Sequence, residues 1–223
     1  MSVVQFLRRV PLFSHLSETE LSRLADVSRE RSYPKNSVIL FEDDPGDALY
    51  MVVAGQVKVV LIGEDGREVI LSVLREGDFF GEMALLDELP RSAHVIAMED
   101  SNLLVLRRED FQRRLQETPT IAFGLMAELS RRLRKADDKI GGLVLLDVNG
   151  RVARLLCQMA DEHDGTTITR RVTHHTIAQM IGSSRETVSR TIRDLADRKL
   201  IDVSRKTIVI RDRRALEAAS GQL

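Results

Sequence analysis

Seven apolar or small residues between Ala122 and Leu143 recur at alternating steps of four and three: Ala122, Met126, Leu129, Leu133, Ala136, Ile140 and Leu143. That spacing is a coiled-coil seam, held for three heptads on one helix. Thr118-Pro119 opens the helix, a hydroxyl at the N-cap position followed by a proline at the first helical position. Arg131, Arg132, Arg134, Lys135 and Asp138 fill its outer side. A small neighbouring domain cannot hide a seam of this length. Part of it is left for a second copy of the chain, so a two-fold dimer through residues 118–146 is expected. The other reading packs the whole helix within its own chain.

The sequence before the seam changes texture once. Residues 2–30 read as helical pieces, with a capping box at Ser17-Glu18-Thr19-Glu20 and Leu21, Leu24 and Ala25 following at helical spacing. From Tyr33 to Leu106 short β-branched runs alternate with turn signals. The runs are Val38–Phe41, Leu49–Val53, Val57–Ile62, Val69–Val73 and Leu103–Leu106; the turns are Asp44-Pro45-Gly46, Gly55, Gly63-Glu64-Asp65-Gly66 and Gly77. Such a series predicts a compact all-β sandwich or barrel. After Gly141-Gly142 the chain turns α-helical, with helices over about 150–162, from Thr173 and from Ser183. A hairpin of Ile201–Val203 and Thr207–Ile210 follows, turning at Ser204-Arg205-Lys206.

With 223 residues and 43% hydrophobic content the chain can bury a real core. No aliphatic run approaches the ~20 residues of a membrane-spanning helix. The N-terminus lacks the basic start and apolar block of a secretory signal, so a soluble, cytoplasmic protein with no membrane partner is expected. A single cysteine, Cys157, excludes an internal disulfide and a thiolate-bound cluster built by one chain. His15, His163, His174 and His175 show no zinc spacing, and His94 reads as structural rather than as a haem ligand. No nucleophile–base set appears, so no catalytic residues, no metal and no enzymatic activity are expected.

The net charge of −1 hides a division. Residues 151–223 carry a net +5 and residues 1–150 a net −6, which directs the C-terminal third toward a polyanion. There, Thr173 to Leu200 has the pattern of a helix-turn-helix, with Gly182 as the turn and Ser183…Glu186 as a capping box. Val188, Ile192 and Leu195 define a buried face, which sets Glu186, Ser189, Arg190 and Arg193 opposite, with Arg185 at the edge. Arginine can give guanine O6 and N7 a forked pair of hydrogen bonds, and glutamate can accept from the cytosine amino group. An ordinary solvated face stapled by Glu–Arg pairs is the competing reading.

Gly182-Ser183-Ser184-Arg185-Glu186-Thr187-Val188-Ser189-Arg190, with Leu200-Ile201, Lys206-Thr207-Ile208-Val209 and the hinge-like Leu146–Ala153, resembles the cyclic-AMP receptor protein and fumarate–nitrate regulator family over nearly the whole chain. The resemblance implies an α+β protein. Its parts are an N-terminal β-roll (jelly-roll) sensor domain over 1–117, a dimerisation helix and hinge over 118–146, and a winged helix-turn-helix over 147–223. Arg185, Glu186 and Arg190 are then the base readers on a palindromic operator with TGTGA-like half-sites. Thr173 is a phosphate contact, Ser184, Ser189 and Lys206 complete the DNA-contacting set, and RNA polymerase is an expected partner. His174 and His175 depart from the catabolite activator pattern.

Gly77–Leu86 followed by Pro90-Arg91-Ser92-Ala93 looks like the phosphate-binding cassette of cyclic-nucleotide-binding domains. Its chemistry can be argued from the residues. Gly81 allows close backbone approach, and a short helix start at Met83 and Ala84 presents free N–H groups. Arg91 can fork onto a phosphodiester, Ser92 adds a hydroxyl, and Glu82 can accept from a ribose 2′-hydroxyl. Alternatively, Glu82 and Arg91 form an internal ion pair in an empty β-roll. In the cyclic-AMP receptor two adjacent hydroxyl residues on the long helix meet adenine; alignment places Ala136 and Asp137 there. A carboxylate suits the N1–H and N2–H₂ donors of guanine better than adenine. A cyclic AMP-like effector therefore competes with a guanine-containing one such as cyclic GMP or cyclic di-GMP. A ligand-independent DNA-binding regulator with a degenerate sensor domain is the third expectation.

Overall fold

The computed structural model describes residues 1–162, 164–168, 172–204 and 207–220. The chain divides into two compact units, Met1–Leu133 and Arg134–Leu223. In the first, α1 (Val3–Arg9) and α2 (Glu18–Val27) flank a 3₁₀ turn at Pro11–Phe13. Both helices start with full capping boxes, Ser2 with Gln5 and Ser17 with Glu20, which satisfy N–H groups the first turn leaves open. Then come β1 (Arg29–Tyr33), β2 (Val38–Leu40), β3 (Ala48–Ala54), β4 (Val57–Ile62), β5 (Glu68–Leu74) and β6 (Phe79–Phe80). After these follow α3 (Met83–Asp87), β7 (His94–Ala97), β8 (Ser101–Arg107), α4 (Arg108–Glu117) and α5 (Pro119–Leu145).

The strands form two antiparallel four-stranded sheets, ordered β1-β8-β3-β6 and β2-β7-β4-β5. Strands β3 and β8 carry apolar residues on both faces, and the two-residue period sorts them. Leu49, Met51, Leu104 and Leu106 meet the helices, packing with Phe6, Phe13, Phe111, Ile121 and Leu125. Tyr50, Val52, Leu103 and Val105 point into the roll, against Val57, Val95 and Phe80.

The second unit holds α6 (Val148–Asp161), β9 (Thr167–Ile168), α7 (His174–Ile181), α8 (Arg185–Asp197), β10 (Ile201–Val203), β11 (Ile208–Ile210) and α9 (Arg213–Ala219). Its core joins Val152, Leu156 and Cys157 of α6 to Ile177 and Ile181 of α7 and to Val188, Ile192 and Leu195 of α8. The three short strands pair in the order β10-β11-β9. Among the described residues no helix is long and apolar enough to cross a membrane.

Several local expectations are corrected. The α8 N-cap is Ser184, whose Oγ accepts from the Thr187 N–H at 3.1 Å, so the Ser183…Glu186 box is not formed. Gly182, at φ +64, turns the chain two residues before that cap, and Ser183 N–H closes back onto Ala178 O. Thr118 sends its hydroxyl to Glu20 Oε1 at 3.3 Å. Gly141 and Gly142 are helical; the break falls after Leu145, and Asp147 caps α6 through the Gly150 N–H. Gly150 is closely packed: a Cβ there would lie 3.1 Å from Ala219 O.

The seam on α5 is exposed at Met126, Leu133, Ala136, Ile140 and Leu143, whereas its Leu129 turns to the core. Ile121 and Leu125 are buried in the first unit and Leu129 packs against the same core, while Phe123, Met126, Leu133, Ile140 and Val144 are exposed. The helix has two apolar edges, and the sequence spacing merged them. The exposed edge keeps the heptad steps through Phe123, Met126, Ser130, Leu133, Asp137, Ile140 and Val144.

Phe111 of α4, which packs on β3 and β8, is fully buried in the core shared with Phe6, Leu21 and Leu49. Phe111→Ala is expected to cost about 3–5 kcal/mol in denaturant unfolding of the first unit; a loss below about 1 kcal/mol would show that this core tolerates the cavity.

Candidate functional site

The turn after β6 depends on Gly81, which sits at φ +84. A Cβ there would lie 2.7 Å from Arg91 Nη1 and 3.0 Å from Ala48 O. The absent side chain lets Arg91 fold against the backbone: Nη1 donates to Gly81 O at 2.6 Å and Nη2 to Ala48 O at 2.9 Å. Arg91 is only 4% exposed, its Nε is buried without a partner, and its guanidinium lies 5.9 Å from the Tyr50 ring centroid. The nearest carboxylate, Asp47, is 3.4 Å away and 82% exposed. A buried cation is costly unless closely paired, so this one is poised for an anion. Beside it α3 begins without a side-chain cap, leaving the Met83 and Ala84 N–H groups in its open first turn. Ser92 is exposed on the rim, its hydroxyl 3.8 Å from Met83 Sδ.

Glu82 and Arg91 do not pair. Glu82, 2% exposed, accepts from Arg132 Nη1 at 3.1 Å. Arg132 also donates to Phe79 O at 2.6 Å and Glu128 Oε1 at 3.1 Å, with its guanidinium 4.6 Å from the Phe79 ring centroid. Burial pushes the Glu82 carboxyl above its ordinary pKa, and the Arg132 charge opposes that shift. Gly81, Glu82, Met83, Ala84, Arg91 and Ser92 therefore come together as expected. Ala136 and Asp137 lie exposed on α5 in the second unit. Arg132 was missed: the seam assigned it to the outer side, and only Glu128 one helical turn earlier marks it. His94 is structural, its Nδ1 accepting from the Glu42 N–H at 3.2 Å.

In the second unit Thr173 caps α7, its Oγ1 accepting from the Thr176 N–H at 3.1 Å. Arg185, Glu186, Arg190 and Arg193 stand exposed on α8, opposite the buried Val188, Ile192 and Leu195. Among the described residues no ion pair ties these four side chains, so the face is not stapled by Glu–Arg bridges. Arg190 makes a weak contact with Thr187 Oγ1 at 3.4 Å. Ser189 turns toward α7 and shares a hydrogen bond of 2.8 Å with His174 Nδ1. Thr191, buried, donates to Asn149 Oδ1 at 2.8 Å and so fastens α8 to the start of α6. Lys206 and Arg205 fall outside the described residues.

A buried cation beside an open helix start in one unit and an exposed arginine-bearing second helix in the other define a DNA-binding regulator with a cyclic-nucleotide-type domain. Residues 30–118 match the cyclic nucleotide-binding domain family, and residues 150–219 match the Crp-like helix-turn-helix domain family. The cyclic AMP receptor protein of Thermus thermophilus is 37% identical over 207 residues, covering 93% of this chain and 95% of that protein. The cAMP-activated global transcriptional regulator CRP of Escherichia coli O157:H7 is 37% identical over 183 residues, 80% of this chain and 87% of that one. The c-di-GMP responsive global regulator CLP of Xanthomonas campestris superposes with a TM-score of 0.76 at 27% identity, covering 87% of this chain and 99% of that one. The chain belongs to the CRP/FNR family of DNA-binding transcription regulators, which are not enzymes.

The raised Glu82 pKa carries a sign. The fold favours the protonated carboxyl, so that contribution to stability is complete below the ordinary carboxylate range and is lost as pH rises through the folded pKa. Glu82→Gln should therefore melt higher than the parent at neutral pH and match it in acid. An advantage that grows toward low pH would contradict this.

Proposed function

We propose that the chain is a homodimeric, sequence-specific regulator whose operator affinity is set by a cyclic nucleotide bound at Arg91. The observation that carries the effector reading is the buried Arg91 guanidinium, which has backbone carbonyls around it and a single, solvent-exposed carboxylate, Asp47, at 3.4 Å. A phosphodiester supplies the missing charge and can also take the N–H groups at the start of α3. Glu82, already drawn inward by Arg132, is the acceptor for the ribose hydroxyl. The exposed stripe from Phe123 to Val144 supports dimerisation, since a monomer would leave it in water.

On this reading residues 1–117 sense, residues 118–146 dimerise and form the hinge, and residues 147–223 bind DNA in the cytoplasm. Arg185, Glu186 and Arg190 read base edges in TGTGA-like half-sites about one DNA turn apart, roughly 34 Å. Thr173 and Ser184 lie at helix starts suited to phosphate contact, and RNA polymerase is the further partner. The effector acts by binding two arrangements of the dimer unequally.

A guanine-containing effector is the second reading, and Asp137 favours it. Asp137 occupies a seam position on the exposed edge of α5, where its copy across a two-fold axis adds like charge. A base offering two adjacent donors relieves that repulsion, as guanine does and adenine does not.

Titration of the full chain with cyclic AMP, cyclic GMP and cyclic di-GMP, read as melting temperature and as affinity for a palindromic operator, tests both readings. At least one nucleotide is expected to raise the melting temperature and change operator affinity by about 5–150-fold. Sedimentation of the same samples should give two chains per particle. If no nucleotide alters either quantity, the chain is a ligand-independent regulator.

A further inference from the structure

The carbonyl oxygen of Ala48 that holds Arg91 ends a segment, residues 43–48, whose sequence marks it only as a turn. In the fold this segment is a wall of the cassette. Asp43 N–H donates to Arg91 O, and Arg91 N–H donates to Asp44 O, each at 2.9 Å. Gly46 lies so close to α3 that a Cβ there would fall 2.3 Å from Ala84 Cβ. Contact this tight leaves no room for a side chain between the two backbones, and something outside must fasten them.

Arg108, the first residue of α4, does so. Its Nε and Nη2 donate to Gly46 O at 3.1 and 2.6 Å, and Nη2 also reaches Ala84 O at 2.8 Å. Its backbone N–H donates to Asp47 O at 2.8 Å. Ala84 O belongs to the last turn of α3, which stops at Asp87 before the left-handed Glu88, so it lacks the intrahelical partner an interior carbonyl would have. One half-buried guanidinium thus joins the 43–48 segment, α3 and α4. Within three residues, Gly46 O is held by Arg108 and Ala48 O by Arg91.

We propose that Arg108 is a positioning residue for the anion site. This rests on the reading that a cyclic nucleotide binds at Arg91. By fixing Gly46 against Ala84, Arg108 sets both the carbonyl on which the Arg91 guanidinium leans and the placement of the α3 N–H groups. Nη2 bridges the two carbonyls while Nε in the same plane adds a second donor to Gly46 O, a fixed two-nitrogen geometry that an ammonium group lacks.

The test is calorimetric titration of cyclic AMP, repeated with cyclic di-GMP, into the full-length parent, Arg108→Gln and Arg108→Lys, with melting of each empty protein alongside. Arg108→Gln is expected to weaken the Kd by about tenfold or more while keeping the parent's number of sites per chain. Arg108→Lys should fall between the two. A merely structural role would lower the empty protein's melting temperature and the number of sites, yet leave the Kd of the folded fraction at the parent's value. That result overturns the proposal. A parent that takes up neither nucleotide overturns the effector reading itself, and this inference with it.

Discussion

Arg91 is a cation placed where the fold gives it shape but little neutralising charge. Two backbone carbonyls, an aromatic face and one solvent-exposed carboxylate at 3.4 Å surround it, and its Nε–H has no partner. Charge buried this way weighs against the empty state, and an incoming anion recovers the difference. Much of the first unit can be understood as what is needed to keep that guanidinium in position. Gly81 removes the side chain that would collide with it, and the 43–48 segment supplies the carbonyl behind it. Strand β3 carries that segment into the centre of the roll, where residues on both faces are buried.

A second constraint acts on α5. Its first turns serve as a lid on the core of the first unit through Ile121 and Leu125, and Arg132 reaches from the same helix to Glu82. The edge that carries Phe123, Met126 and Leu133 cannot also be buried there, because side chains on opposite edges of one helix cannot share a face. One helix therefore touches a residue of the proposed nucleotide site and carries the proposed dimer surface. Under the proposed function, the Glu82–Arg132 pair is the contact between the ligand site and the helix that two copies would share.

The sequence displayed the features that repeat. The run Val57–Ile62 is β4 residue for residue, because a short β-branched run between glycine turns leaves little else to form. The capping box at Ser17 and the buried face of Val188, Ile192 and Leu195 were equally plain, both being short-range spacings. The cassette could be read because Gly81, Glu82, Arg91 and Ser92 lie close together in the chain. Strand β1 could not: Arg29-Glu30-Arg31-Ser32-Tyr33 is an exposed edge with no apolar alternation, held by its pairing with β8 and by Tyr33 against the roll core. The inward roles of Arg132 and Arg108 were hidden for a related reason. A guanidinium bonded to backbone carbonyls dozens of residues away leaves no spacing rule to find, and on a charged helix it reads as surface. The same applies to Ser189, whose bond to His174 depends on how α7 packs on α8.

On the proposed function the Arg91 charge creates the ligand site without being needed to build the roll. Replacing it by an uncharged side chain, Arg91→Gln, and titrating with cyclic AMP and cyclic di-GMP addresses this most directly. The expected variant still melts cooperatively when empty and takes up neither nucleotide. A variant that binds either one with the parent's Kd would contradict that reading.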